Sequence, residues 1–167
     1  DVNMRNYGAL ARAMRWTFLT FAMGYLAIIG FPFFAGFYSK DHIIVAAFEQ
    51  NAIAGVCALI GAGITAYYMT RLMVMTFFGR KRWEDGVHPH ESPSVMVFPL
   101  VVLAVLSVVA GLAMNGWISG WLVPAVGGED HHLGLFDGFA EPIGWITLIV
   151  VALGVAVAVM VFKSVPK

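Results

Sequence analysis

Four stretches of this chain are apolar for long enough to cross a lipid bilayer: residues 16–48, 52–78, 95–114 and 143–162. A bilayer offers no water to the backbone, so a spanning segment must satisfy its own N–H and C=O groups as a helix or within a closed barrel. Runs of about 20 residues suit the helix, whereas barrel strands need only about 10 with alternating polarity. The expected fold is therefore all-α, a polytopic transmembrane helix bundle. Composition agrees: 60% of the residues are hydrophobic, 12% are charged, and the mean hydropathy is +0.81. That is too apolar for an ordinary soluble domain of this length. The apolar composition makes the lipid bilayer a partner, and the zero net charge, with no basic stripe interleaved with aromatics, gives no sign of nucleic acid. A single cysteine, Cys57, excludes a disulfide scaffold and a cysteine-rich metal site. The first residue is Asp1 and no signal peptide precedes the first span. The chain reads as a piece of a longer polypeptide, whose remainder is one of its partners.

Charge placement predicts the topology. Of the ten Lys and Arg residues, Arg5, Arg12 and Arg15 precede the first segment, Arg80, Lys81 and Arg82 follow the second, and Lys163 and Lys167 follow the fourth. The turn at Asn51 and residues 115–142 contain none. By the positive-inside rule the N-terminal residues 1–15, the 79–93 loop and the end of 143–167 face the cytoplasm, and 115–142 is a periplasmic loop. This requires an even number of crossings, so residues 16–48 form one crossing rather than two.

That first crossing carries the most informative stretch, GFPFFAGFYSKDHII, from Gly30 to Ile44. Gly30, Pro32 and Gly36 are poor helix-interior residues, and they predict a break over 30–39 between two half-helices. Gly30 is available as a C-cap of the first half, and Ser39 as an N-cap of the second, with Lys40 and Asp41 in its first turn. About ten residues separate Lys40 from the polar Glu49-Gln50-Asn51 turn, roughly 15 Å at about 1.5 Å per residue, near mid-bilayer. Ionisable residues at that depth are rare and are functional-site candidates. The alternative for Lys40 is a lysine near a helix end whose ammonium snorkels to the interface. A lysine in a dry site has its charged form disfavoured, so it can give up and take back a proton. Asp41 would be favoured by the positive end of the second half-helix, and could instead serve only as a cap.

In the second segment, Thr65, Tyr68 and Arg71 follow a three-residue spacing that places them on neighbouring helix positions. Position alone leaves two readings for Arg71 and Tyr68: a polar functional face, or a snorkelling arginine beside an aromatic belt. Met69, Met73 and Met75 read as packing residues. His88 and His90 belong to one loop and His131 and His132 to another on the opposite side, so no single metal site is expected from them. No phosphate-binding glycine loop, nucleophile triad or haem motif is present, and no cofactor is expected in this chain.

GFPFFAGFYSKDHI resembles the discontinuous helix in the C-terminal half of the largest antiporter-like subunit of respiratory complex I, the proton-pumping NADH:quinone oxidoreductase. TAYYMTRLMVMTFFG is similar to its next helix, and HPHESPSVMVFPLVVLAVLSVVAG to the loop and helix after that, in the same order. The resemblance covers most of residues 15–114, the antiporter-like region, and weakens over 115–142. It implies a proton-translocating translocase subunit of the bacterial inner membrane, working with other subunits of the membrane arm. FMN, iron–sulfur clusters and quinone are then expected in partner subunits. It also implies proton-path roles for Lys40, on the family's broken-helix lysine, for Asp41 beside it, and for Tyr68 and Arg71. The family's earlier Glu–Lys pair, its other broken helix and its long lateral helix have no counterpart in this sequence. Mrp-type sodium/proton antiporters carry a related Ser-Lys-Glu pattern, from which Ser39-Lys40-Asp41 departs. A membrane subunit with a non-titrating, ion-paired Lys40 is the remaining alternative.

Overall fold

The computed structural model describes residues 3–84, 86–126 and 142–163, with side chains of 112–116, 118–120, 122–123 and 125–126 excepted. Among the described residues, a short 3-10 turn, Met4–Asn6, leads into five helices: α1 Arg15–Ile29, α2 Ala35–Gln50, α3 Ala52–Phe77, α4 Ser94–Val126 and α5 Pro142–Phe162. All the described regular structure is helical, and the chain is a multi-pass membrane protein. Among the described residues, three helical stretches are long and apolar enough to cross a bilayer alone: Ala52–Phe77, Ser94–Gly111 and Pro142–Phe162.

α1 and α2 are too short to do so separately. The 15 residues of α1 reach about 22 Å, against a hydrocarbon core of about 30 Å. Together they cover the distance that α3 covers alone. The N–H groups of Ala9 and Ala11, just before α1, bond the carbonyls of Phe78 and Phe77 at the end of α3. At the other end, Asn51 alone separates α2 from α3, and its side chain caps α3 by accepting from the Ile53 N–H at 2.8 Å. The pair therefore forms one length of the bundle antiparallel to α3.

α4 starts beside the N-terminus of α1 and runs back along α1 and α2. Gly111 lets it meet the start of α2, since a Cβ there would lie 2.5 Å from the Ala35 Cα. α5 runs parallel to α3, with Val150 and Gly154 against Gly63 and Phe162 against Tyr67. A Cβ on Gly154 would sit 2.6 Å from the Gly63 carbonyl oxygen, so small residues set the spacing of this pair. The inner core joins Ile29 of α1, Ile44 of α2, Ala62 and Ala66 of α3 and Val151 of α5.

Two boundaries differ from expectation. α4 continues to Val126, through residues 115–126 that were expected to lie in a loop; the apolar Trp117–Val126 portion keeps helical backbone, with Trp117 and Trp121 stacked at 6.3 Å. Pro124 lies within it. Residues 127–141 of the expected loop, including His131 and His132, lie outside the described residues, as does Lys167. The second difference concerns the break.

Candidate functional site

α1 ends at Gly30, whose left-handed backbone (φ 80°, ψ 41°) costs a glycine little. Its N–H bonds the Ala27 carbonyl and the Phe31 N–H reaches back to Leu26 at 2.9 Å, the paired bonds of a Schellman ending. Pro32 follows, then Phe33 with φ 70°, a sparsely populated conformation for a bulky residue. Phe34 is extended and α2 begins at Ala35.

The interruption thus occupies residues 30–34 rather than 30–39. Gly36 does not break the helix; it lies in the first turn of α2, where a Cβ would fall 1.8 Å from the Ala27 carbonyl oxygen. Its role is close approach of the two half-helices. Ser39 is not the N-cap either. Phe34 holds that position without a side-chain bond, and the Ser39 hydroxyl turns back to the Ala35 carbonyl at 3.4 Å. Lys40 and Asp41 consequently sit in the second turn, so Asp41 does not act as a cap. The helix resumes at Ala35 directly after the extended Phe34, and Gly36 is accommodated in its first turn, where its weak helix propensity is offset by the close approach to α1.

This geometry sends the Lys40 side chain back toward α1. Its Cδ lies 3.4 Å from the place a Gly30 Cβ would occupy, and its ammonium donates to the Ile28 carbonyl. That oxygen belongs to the last turn of α1, where carbonyls lack helical partners and carry the negative end of the helix dipole. Among the described residues, the hydrogen-bond partner of the Lys40 ammonium is therefore a carbonyl. Asp41 is the more deeply placed of the pair, with 5% of its surface exposed. Its Oδ2 and the hydroxyl of Tyr38, one turn earlier on the same face of α2, are buried without a hydrogen-bond partner among the described residues.

The other expected site residues lie elsewhere. Tyr68 is 49% exposed and turns outward from α3. Arg71 is partly buried and faces α5, its guanidinium 5.2 Å from the centre of the Phe162 ring, with its Nε buried and unpartnered among the described residues. Thr65 bonds its own helix at the Gly61 carbonyl, 2.8 Å away. The three-residue spacing along α3 therefore does not gather these side chains around Lys40. His88 and His90 are exposed.

Two polar contacts had no clear signal in the sequence. Tyr25 of α1 and Thr70 of α3 share a hydrogen bond of 2.8 Å, and Thr70, 2% exposed, also bonds the Ala66 carbonyl. Glu91, in the loop before α4, accepts from the backbone N–H of Trp16 at 2.7 Å and of Thr17 at 3.3 Å, and from the Thr17 hydroxyl at 2.6 Å. Burial opposes its charge, but these bonds and one from the Ser92 N–H outweigh it and hold the carboxyl below its ordinary pKa. Only a periodic contact can be read from one helix's spacing, and both of these join distant segments.

A family model described as "NADH:quinone oxidoreductase/Mrp antiporter, TM" matches residues 1–65, which include the break and Lys40. NADH-quinone oxidoreductase subunit L of Mycobacterium tuberculosis is 48% identical over 99% of this chain, and the match spans 27% of that relative. Subunit L of Rhodobacter capsulatus is 43% identical over 67% of the chain and 18% of the relative. NAD(P)H-quinone oxidoreductase chain 5 of a Picosynechococcus species is 42% identical over 69% and 20% respectively. The chain thus spans about a quarter or less of the length of these relatives. It belongs to the family of antiporter-like membrane subunits of NADH-quinone oxidoreductase, of the subunit L and chain 5 type.

Proposed function

We propose that this chain is part of a proton-translocating subunit of NADH:quinone oxidoreductase, and that Lys40 carries the proton at the helix break. The supporting observation is the ammonium of Lys40 seated on the Ile28 carbonyl at the open end of α1. Desolvation disfavours the charged lysine, and the carbonyls at the end of a helix favour it. Because the two effects oppose, a modest movement of α1 against α2 suffices to release or recapture the proton. Asp41, buried one residue on, supplies a second proton-exchanging group on the way out. Arg71 contributes a fixed positive charge from α3, and Tyr68 a hydroxyl at its outward face.

The basic end of the bundle, with Arg80, Lys81 and Arg82, faces the cytoplasm, and the chain lies in the bacterial inner membrane. The driving force comes from partner subunits that hold FMN, iron–sulfur clusters and quinone, and it arrives through the membrane arm and the remainder of this polypeptide. The test is proton pumping in vesicles containing the assembled complex with Lys40→Ala. Impaired pumping with intact NADH oxidation supports the proposal; unchanged pumping supports a structural Lys40 instead.

The matched family description also names Mrp antiporters, which favours one second reading, a sodium/proton antiporter subunit. Sodium-dependent proton movement across the same vesicles, without NADH, would support it.

A further inference from the structure

We propose that Glu91 is a positioning residue for the Lys40 site: across 75 residues of sequence its carboxylate caps α1, the helix whose far end presents the Ile28 carbonyl to the ammonium. The inference rests on the reading of Lys40 as the proton carrier, and extends it to the opposite end of the helix.

An α-helix leaves its first N–H groups without partners, and a nearby carboxylate is well suited to them because the N-terminal dipole is positive. In α1 the local cap is missing: Met14 occupies the position and makes no side-chain bond. Glu91 fills the role from outside. One carboxylate oxygen takes the Trp16 N–H, and the other takes both the Thr17 N–H and the Thr17 hydroxyl. The base of this cap is firm. Glu91 also accepts from the Ser92 N–H, and Pro93 begins α4 by accepting the Met96 and Val97 N–H groups at 2.9 and 3.1 Å.

Packing along the same face of α1 does not supply the same restraint. Thr17, Phe21 and Ile28 of α1 and Leu100, Leu103 and Ala104 of α4 line an open groove of about 240 Å³, almost wholly apolar. Apolar contacts across a groove resist sliding weakly, whereas three hydrogen bonds to one carboxylate fix a helix end in register. At the far end, the Gly36 approach to Ala27 and the Lys40 bond to Ile28 leave little slack. A short, continuous helix pinned at one end transmits that register to its last turn. Glu91 therefore sets how closely the Ile28 carbonyl meets Lys40.

The test uses the assembled complex with Glu91→Ala, Glu91→Gln or Thr17→Val in this subunit, with Glu84→Ala as a control in the same loop. Hydrogen exchange is followed at Trp16 and Thr17 and, separately, at Gly30 and Phe31, alongside protons pumped per electron pair. In Glu91→Ala the Trp16 and Thr17 amides should exchange about fivefold faster, the factor a typical lost cap carries. Exchange at Gly30 and Phe31 should rise with it and pumping should fall, while Glu91→Gln, which keeps an acceptor oxygen, restores part of both. Thr17→Val, which removes only the hydroxyl bond, should show a smaller loss of the same kind. Wild-type exchange at Gly30 and Phe31 with full pumping in both Glu91→Ala and Thr17→Val would overturn the proposal. If Lys40→Met itself pumps normally, the reading of Lys40 falls, and exchange at Gly30 and Phe31 in Glu91→Ala still decides whether Glu91 governs the far end of α1.

Discussion

Replacing Gly36 with alanine tests whether the two half-helices are held by backbone approach. In an isolated helix the change is favourable by about 1 kcal/mol, because alanine loses less backbone freedom on ordering. Here the added Cβ would lie 1.8 Å from the Ala27 carbonyl oxygen, and contacts below 3.0 Å are essentially never seen. The obstacle is backbone, so no side-chain rotation relieves it. α2 must retreat from α1 by more than an ångström, and overpacking of that kind costs about 1–3 kcal/mol, sometimes more. The steric term wins, with a net loss of about 1 kcal/mol once the helix gain is subtracted. Gly24→Ala in α1 is the matched control, since no atom lies within 4 Å of its added Cβ and only the favourable term applies. Thermal inactivation of the detergent-solubilised complex compares the two. Gly36→Ala should inactivate at lower temperature and pump less, because retreat of α2 draws Lys40 from Ile28; Gly24→Ala should match wild type or exceed it. Equal stability and pumping in the two variants would refute the close-approach account.

Three further outcomes follow from the geometry. Glu91 has a depressed folded-state pKa, so its contribution is present above the ordinary glutamate range and is lost as pH falls through the lowered value. Wild type and Glu91→Ala should therefore differ in thermal stability at neutral pH and converge in acid, and a difference that persists in strong acid would contradict this. Gly154→Ala should loosen α5 from α3, because its Cβ meets the Gly63 carbonyl at 2.6 Å; cysteine cross-linking between the two helices should become slower, and an unchanged rate would argue against tight packing. Tyr25→Phe removes one bond while Thr70 keeps the Ala66 carbonyl, so the loss should be under about 1 kcal/mol, and a severe assembly defect would show that more depends on that hydroxyl.

Much of the fold was legible because hydropathy and charge act over whole segments. The run from 52 to 78 became α3 almost to the residue. Gly30 and Pro32, which oppose helix by their own backbone chemistry, lie in the interval between α1 and α2. Gly36 misled for the same reason: a glycine's sequence context does not distinguish a broken helix from one closely approached, and the difference lies in Ala27, nine residues earlier on another helix. Ser39 was a plausible cap only if the helix resumed late. The extension of α4 past residue 114 was masked by glycines and a proline in an otherwise apolar stretch. Glu91 was hidden in a polar loop because its partners, Trp16 and Thr17, are distant in sequence.

The most direct measurement of the central claim is the number of protons pumped per electron pair by the assembled complex in vesicles, with Lys40→Arg and Lys40→Met. Arginine keeps the positive charge but does not release its proton in a protein, and methionine keeps much of the length without charge. If Lys40 carries the proton, both variants pump fewer protons per electron pair than wild type, the arginine variant included. Full wild-type stoichiometry in both would contradict the account.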